Sequence, residues 1–181
     1  MENKKIKRDK HTDDLVDHYW YSISYVMDLI KSSELKAGLI LSFYGILLNF
    51  IFQSASSISD TFGNNPILYI LLALWVICTA ASIFFCVRCF IPKIEGHYGK
   101  NMFFFKDIIS KFGNIKQFAH MFFEKSCDEN ELFEQLGEQI FIISKIADWK
   151  FRNVKRAISL LALGLMILFI TSIYHAIVSF S

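Results

Sequence analysis

Residues 157–180 read AISLLALGLMILFITSIYHAIVSF, and this stretch decides the fold class of the chain. Its 24 residues include no lysine, arginine, aspartate or glutamate, and a single histidine, His175. A bilayer core of roughly 30 Å is crossed by about 20 apolar residues of helix. Because lipid offers the backbone no hydrogen-bond partner, such a segment must satisfy its own backbone groups, which favours a helix. The sequence therefore predicts a transmembrane helix at 157–180.

Two further stretches of the same kind precede it. We predict transmembrane helices at 37–55 and 67–88, neither of which carries a charge apart from Arg88, with an outer loop at 56–66. Hydrophobic residues make up 54% of the 181 residues and charged residues 20%, which excludes a disordered chain. A soluble helical bundle with a very apolar core is the alternative to a membrane protein.

Lysine and arginine predict the orientation of these spans. Of the 19 such residues, seven lie in residues 1–36, twelve lie in 88–156, and none lies in 53–66. Because cytoplasmic loops carry the excess of positive charge, we expect a cytoplasmic N-terminal helix at 1–36 and a cytoplasmic helical region at 89–156. The outer loop and the C terminus are expected on the other side. The net charge of +2 gives no sign of nucleic-acid binding.

Helical spacing of apolar residues and capping residues place the other elements. One helix is predicted from about 13 to 55, with Thr12 as its N-cap, and two short helices follow the second span. Asn101 is predicted to cap the first short helix, and Asp128 to cap a long helix that runs into the last span. The predicted fold is an all-α membrane protein with three transmembrane helices, cytoplasmic helical extensions and two short cytoplasmic helices.

No pattern of catalytic or metal-binding residues is present in the sequence. The CVRC stretch at 86–89 has no second pair of ligands nearby, and the five histidines are scattered. We find no Walker, Rossmann, zincin or nucleophile-elbow motif, and no acidic or basic residue in the middle of a predicted span. The sequence therefore argues against an enzyme, a bound metal or cofactor, and an ion-coupled transporter.

Two basic segments are candidates for binding an anion. The turn 95–101 (EGHYGKN) precedes a predicted helix N terminus, where backbone N–H groups attract anions. The alternative is a plain turn at the membrane edge with a solvated lysine. The second segment lies at the start of the last span and comprises Lys145, Lys150, Arg152, Lys155 and Arg156. It is interpreted as an anchor for anionic lipid headgroups, and the alternative is that part of it holds a nucleotide phosphate.

Several ordered motifs resemble the Pycsar transmembrane effectors. Glu34–Ala37 (ELKA) followed by Gly45 is similar to the family's D-x-K-A … G entry into the first span, with glutamate where aspartate is usual. Pro92 and residues 101–105 (NMFFF) resemble the element after the second span. Residues 136–151, with LGEQI, SKI and KF in order, resemble the helix that leads into the last span.

This resemblance implies a membrane effector in antiphage defence, encoded beside a pyrimidine cyclase. Cyclic UMP or cyclic CMP would activate it, the bacterial inner membrane would be impaired, and abortive infection would follow. We expect a homo-oligomer in contact with membrane lipid. A nucleotide pocket is predicted to be lined by Lys100, Asn101, Gln139, Lys150 and Arg152, with Tyr98 or Phe103 stacking on the base. Plain packing is the alternative for the two aromatic residues.

Two other functions stay open at the level of the sequence. One is a membrane effector that responds to a cyclic oligonucleotide. The other is a structural subunit of a larger membrane complex, which would purify with a different subunit.

Overall fold

Helices make up the secondary structure wherever the chain is described. The computed structural model describes residues 10–53, 65–91, 101–110 and 114–180. The helices within these ranges are α1 Lys10–Gln53, α2 Pro66–Phe90, α3 Phe105–Ser110, α4 Ile115–Ser126 and α5 Glu129–Phe180. The predicted all-α fold is confirmed, as are the single long helix near the N terminus and the two short helices after the second span.

Three of these helices are long and apolar enough to cross a membrane: His11–Gln53, Pro66–Phe90 and Glu129–Ile177. Large apolar side chains point outward from them, as Phe50 (63% exposed), Ile77 (64%) and Phe169 (69%) show. A soluble bundle would have to bury such residues, whereas a lipid environment accepts them. The membrane protein is therefore the correct reading, and the soluble bundle is not.

Local sequence explains several helix ends. Pro66 occupies the first turn of α2, where its missing N–H leaves no hydrogen bond unmade. The Asn114 side chain accepts a hydrogen bond from Gln117 N at 2.9 Å and so caps α4. Asp128 Oδ1 accepts hydrogen bonds from Asn130 N at 3.0 Å and Glu131 N at 3.2 Å, which confirms the predicted cap of α5.

Two predicted caps are wrong. Thr12 lies inside α1, which already includes Lys10, and its hydroxyl donates to Glu129 Oε1 at 3.1 Å instead. Asn101 does not cap a helix, because α3 begins only at Phe105. The Thr12 hydroxyl has a partner that is distant in the sequence, whereas Asn101 Oδ1 accepts a hydrogen bond from Phe103 N, two residues before α3 begins.

The chain divides into two compact units, each of which is described by itself. The first unit comprises Met1–Ile30 and Lys93–Asp148, and we call it the extramembrane unit because the predicted spans 37–55, 67–88 and 157–180 all lie in the other unit. Its core joins the first part of α1 to the first part of α5, and the buried side chains are Ile23, Ile30, Leu136, Ile143 and Ala147. Burying each large aliphatic side chain stabilises the unit by about 1.5–3 kcal/mol.

The membrane unit comprises Lys31–Pro92 and Trp149–Ser181. Helix α2 contributes one packed face, and its buried residues are Leu68, Trp75, Cys78, Thr79, Ser82, Cys86 and Cys89. Positions 68, 75, 82 and 89 repeat every seven residues, the spacing of a helix that packs along one seam. Small side chains at this face let helices approach closely, which is how helices associate in lipid.

The exact limits of the three predicted spans stay predictions, as do the sides on which the loops lie. Residues 56–64 of the predicted outer loop are outside the described residues, and so are Pro92 and the turn up to Lys100.

Candidate functional site

Hydrogen bonds of one buried asparagine hold the segment that precedes α3 in the extramembrane unit. Asn101 is fully buried, and its Nδ2 donates to Gln135 O at 2.8 Å and to Glu138 Oε2 at 3.1 Å. Its Oδ1 accepts a hydrogen bond from Phe103 N at 2.9 Å, and its backbone N–H donates to Asp107 Oδ2 at 3.1 Å. Both polar atoms of the side chain are thus engaged within the protein. Asn101 therefore connects residues 101–103 to α5 through hydrogen bonds.

Gln135 completes this attachment from the α5 side. Its Oε1 accepts a hydrogen bond from Met102 N at 3.0 Å, and the Met102 side chain is fully buried. Its Nε2 lies 3.5 Å from Glu138 Oε2. Because each buried polar group here has a partner, the segment is held in one conformation rather than several.

Phe103, a predicted stacking residue, packs between two other aromatic rings. The rings of Trp20 and Phe122 each meet it edge-on, with centroid distances of 5.6 Å and 5.8 Å. Edge-to-face pairs of this kind contribute about 0.5–1.5 kcal/mol beyond the area they bury. The structure therefore gives Phe103 a packing role, while Tyr98, the other predicted stacking residue, lies outside the described residues.

Gln139 differs from Asn101 in that part of its side chain is unused. Its Oε1 is buried, and no residue in the described part of the chain donates a hydrogen bond to it. A buried acceptor without a donor is destabilising by about 1–3 kcal/mol, so such an atom is a candidate for contact with a ligand. Lys100, predicted to lie in the same pocket, is outside the described residues.

Lys150 connects three helices of the membrane unit. Its Nζ donates to Glu34 Oε1 on α1 at 2.6 Å and to the carbonyl oxygen of Cys89, near the end of α2, at 2.7 Å. The Lys150 side chain is 3% exposed and the Glu34 side chain 39%. Carbonyl groups in the last turn of a helix have no partner within the helix, and a cation there is favourable. The ammonium group of Lys150 therefore uses two of its three N–H donors to connect the helices.

Arg152 lies on the exposed surface of the membrane unit and lines a cavity of about 470 Å³ together with Lys155 and Arg156. Lys145 lies in the extramembrane unit, where its Nζ is 4.8 Å from the centroid of the Phe141 ring. The five lysines and arginines that the sequence presents as one basic segment therefore fall into different environments.

The predicted nucleotide residues fall in both units. Asn101, Phe103 and Gln139 belong to the extramembrane unit, whereas Lys150 and Arg152 belong to the membrane unit. The role of each as a nucleotide contact stays a prediction. The ion pair between Glu34 and Lys150 is not apparent from the sequence, where the one available signal is an acidic residue just before an apolar span.

Two hydroxyl groups are buried inside the membrane unit without a good hydrogen bond. Tyr44 Oη lies beside Thr79 and Ser82, but neither Tyr44 Oη nor Thr79 Oγ1 has a partner of good geometry among the described residues. Ser82 Oγ instead donates to Ala157 O at 2.9 Å. Unpaired polar groups in the middle of an apolar bundle are destabilising. The hydroxyls of Tyr44 and Thr79 are therefore candidates for a role in function rather than in folding.

The cysteines of the CVRC stretch also belong to the packed face of α2. Cys78, Cys86 and Cys89 are buried free thiols, and Cys127 is an exposed one. Within the described residues, no group of three or more histidine, cysteine, aspartate or glutamate side chains is arranged to hold a metal ion. The two cysteines of CVRC contribute small side chains where helices approach each other.

A family model, described as the Pycsar effector protein domain (PycTM), matches residues 18–177. The chain belongs to the Pycsar effector family. This Pycsar effector is similar to the Pycsar effector protein SaPycTM of Staphylococcus aureus, with 29% identity over 160 residues, or 86% of this chain and 93% of the relative. No solved structure matches the chain.

Family membership and the three membrane-spanning helices agree with each other. The family match covers helices of both units, from near the start of α1 to near the end of α5. This Pycsar effector is therefore a transmembrane protein of an antiphage defence system. The resemblance derived from the motifs is confirmed.

Proposed function

We propose that a cyclic pyrimidine mononucleotide, cyclic UMP or cyclic CMP, activates this effector, and that activation impairs the bacterial inner membrane and causes abortive infection. The observation that carries this proposal is the match of the Pycsar effector domain to a chain with three membrane-spanning helices. An adjacent pyrimidine cyclase would supply the nucleotide.

The extramembrane unit is our proposed place for the nucleotide. It holds the buried, unpaired Oε1 of Gln139, which can accept a hydrogen bond from a base or a ribose hydroxyl. Asn101 would act there by fixing the segment that follows Lys100, while Lys100 would supply positive charge for the phosphate. We place this unit in the cytoplasm, where the lysine and arginine distribution predicts it.

The nucleotide shifts the protein from an inactive to an active conformation only if it binds the active conformation more tightly than the inactive one. Helices α1 and α5 each contribute residues to both units. The membrane-spanning segments are therefore continuous, along the same helices, with the segments of the extramembrane unit. We propose that several protomers assemble in the membrane to make the lesion. The absence of charged residues in the middle of the spans favours a mechanical disturbance or a leak over coupled transport.

The test uses bacterial cells that express this chain with an active pyrimidine cyclase, and a dye that reports membrane potential. We expect depolarisation with the active cyclase and none with a catalytically inactive cyclase. A retained potential during cyclic nucleotide synthesis would refute the proposal. Depolarisation by a cyclic oligonucleotide synthase instead would favour that ligand class, and a stable complex with a different subunit would indicate a structural role.

A direct binding measurement tests separately which nucleotide the protein binds and which residues bind it. The purified full-length chain is titrated with cyclic UMP, cyclic CMP and cyclic AMP. Gln139→Ala should weaken binding of the active pyrimidine nucleotide about tenfold, as expected for one lost hydrogen bond to a buried group. Gln117→Ala is the matched control, because Gln117 is exposed on α4 of the same unit. Equal binding by both variants would remove Gln139 from the site.

A further inference from the structure

A cavity of about 470 Å³ opens at the charged end of the last membrane helix. This volume falls within the range of about 300–1,000 Å³ that ligand pockets occupy. One wall comes from α2 and the other from α5, both within the membrane unit. Its lining residues are Phe85, Arg152, Lys155, Arg156, Ser159 and Leu160.

The α5 wall presents three positive charges on one face. Arg152, Lys155, Arg156 and Ser159 follow the i, i+3, i+4, i+7 spacing that aligns side chains along a helix. None of the described lining residues carries a carboxylate. Positive charges on one face of a helix attract an anion to the space between them. Guanidinium groups bind phosphate oxygens in pairs, which makes a phosphate the best-matched anion.

The other end of the cavity is apolar. The Arg156 guanidinium lies over the Phe85 ring, 5.5 Å from its centroid. This cation–π contact places the positive charge next to the apolar part of the cavity. Leu160 lies one turn further along α5, inside the stretch 157–180 that carries no lysine, arginine, aspartate or glutamate. A free phosphate would use only the charged end. A phospholipid uses both ends.

We propose that this cavity binds one anionic phospholipid, with its phosphate between Arg152, Lys155 and Arg156 and an acyl chain against Phe85 and Leu160. General attraction to an anionic membrane would involve every basic residue at its surface equally. A built site instead depends on the residues that line it. This proposal does not rest on activation by a cyclic nucleotide, and each can fail without the other.

The test measures lipid retention by native mass spectrometry of the full-length chain in detergent, with phosphatidylglycerol or phosphatidylcholine added. We expect the unsubstituted chain to retain phosphatidylglycerol in preference to phosphatidylcholine. Arg156→Gln should weaken that retention about tenfold, as for the loss of a charge-assisted hydrogen bond, and Arg156→Lys should weaken it less. These side chains are exposed, so we expect the variants to fold, and circular dichroism checks this.

Lys36→Gln is the matched control. Lys36 is exposed and directly precedes the first charge-free stretch, as Arg156 precedes the last, but it does not line the cavity. Retention equal to that of the unsubstituted chain supports the proposal, whereas a loss equal to that of Arg156→Gln would mean general attraction and overturn it. Equal retention of both lipids would overturn it as well. Displacement of phosphatidylglycerol by cyclic UMP or cyclic CMP would assign the cavity to the nucleotide and overturn the lipid assignment.

Discussion

The ammonium group of Lys150 lies 2.6 Å from the carboxylate of Glu34, although 116 positions separate the two residues in the sequence. The two partners differ in their access to solvent, since the Lys150 side chain is 3% exposed and the Glu34 side chain 39%. Loss of Glu34 leaves a charge buried, whereas loss of Lys150 leaves a charge that water can reach. This asymmetry makes the pair testable.

Glu34→Gln should destabilise the protein more than Lys150→Met. We expect a loss of about 3 kcal/mol for Glu34→Gln, because an uncompensated buried charge is left behind, and about half of that for Lys150→Met. Thermal unfolding in detergent, followed by circular dichroism, measures both. Lys155→Met is the control, because Lys155 is exposed on the same helix. Equal losses for the two partners would contradict the asymmetry.

Asn101→Ala should destabilise the protein more than Asn114→Ala. The first substitution removes a fully buried side chain whose hydrogen bonds reach Gln135, Glu138 and Phe103, and we expect a loss of about 3 kcal/mol. The second removes an exposed helix cap, which typically amounts to about 1 kcal/mol. Chemical denaturation in detergent gives both values. A smaller loss at position 101 than at 114 would show that the network is not structural.

Tyr44→Phe should leave stability unchanged or raise it. The substitution removes a buried hydroxyl that has no good partner among the described residues, while the ring that packs in the core remains. Removing an unsatisfied buried polar group is expected to gain about 1 kcal/mol. Thermal unfolding tests this, and Thr79→Val provides the same test on α2. A clear loss in both variants would show that these hydroxyls are paired.

If Tyr44→Phe and Thr79→Val keep stability but abolish membrane depolarisation, the hydroxyls serve function rather than folding. The membrane-potential dye, in cells with an active pyrimidine cyclase, measures depolarisation by the same two variants. Unchanged depolarisation would leave the hydroxyls without a part in the lesion.

Ser82→Leu should disrupt the membrane unit, and Ser82→Ala should not. Ser82 is fully buried, and its hydroxyl bonds the carbonyl of Ala157, a contact worth about 0.6 kcal/mol in membrane proteins. Three extra carbon atoms at this position overpack the interface and add about 1–3 kcal/mol to the loss. Ala80→Leu is the control, since Ala80 is exposed on the same helix. Thermal unfolding ranks the three variants.

Reporter fusions test the proposed orientation. Alkaline phosphatase fused after Ser181 should be active, because its disulfides form only outside the cytoplasm, and a fluorescent protein fused before Met1 should be bright. Fluorescence of a fluorescent protein fused after Ser181, together with an inactive phosphatase there, would place the C terminus in the cytoplasm and overturn the orientation.

The sequence determined the fold class because the features behind it are local. Long uncharged stretches predict membrane helices, and Asp128 was correctly identified as a cap because its acceptor bonds lie within three residues. The bonds of Thr12 to Glu129 and of the Asn101 amide group to Gln135 O were not predicted, because both partners lie far along the chain on α5. Local patterns cannot reveal such partners.

The candidate sites were only partly accessible to prediction for a related reason. The sequence showed one basic segment, yet Lys150 is buried against Glu34 while Arg152 is exposed. Residues two positions apart on a helix point in different directions, so a charge cluster in the sequence does not make a single surface. Only tertiary packing decides which of the basic residues meets solvent.

The packed face of α2 has a practical consequence. Its three thiols, those of Cys78, Cys86 and Cys89, are hidden between helices, and Cys127 is accessible. A Cys127→Ser chain should therefore react with a maleimide probe only when α2 parts from its neighbours. These natural thiols can therefore serve as reporters, and the mass shift of the labelled chain would show whether and when α2 separates from its neighbours during infection.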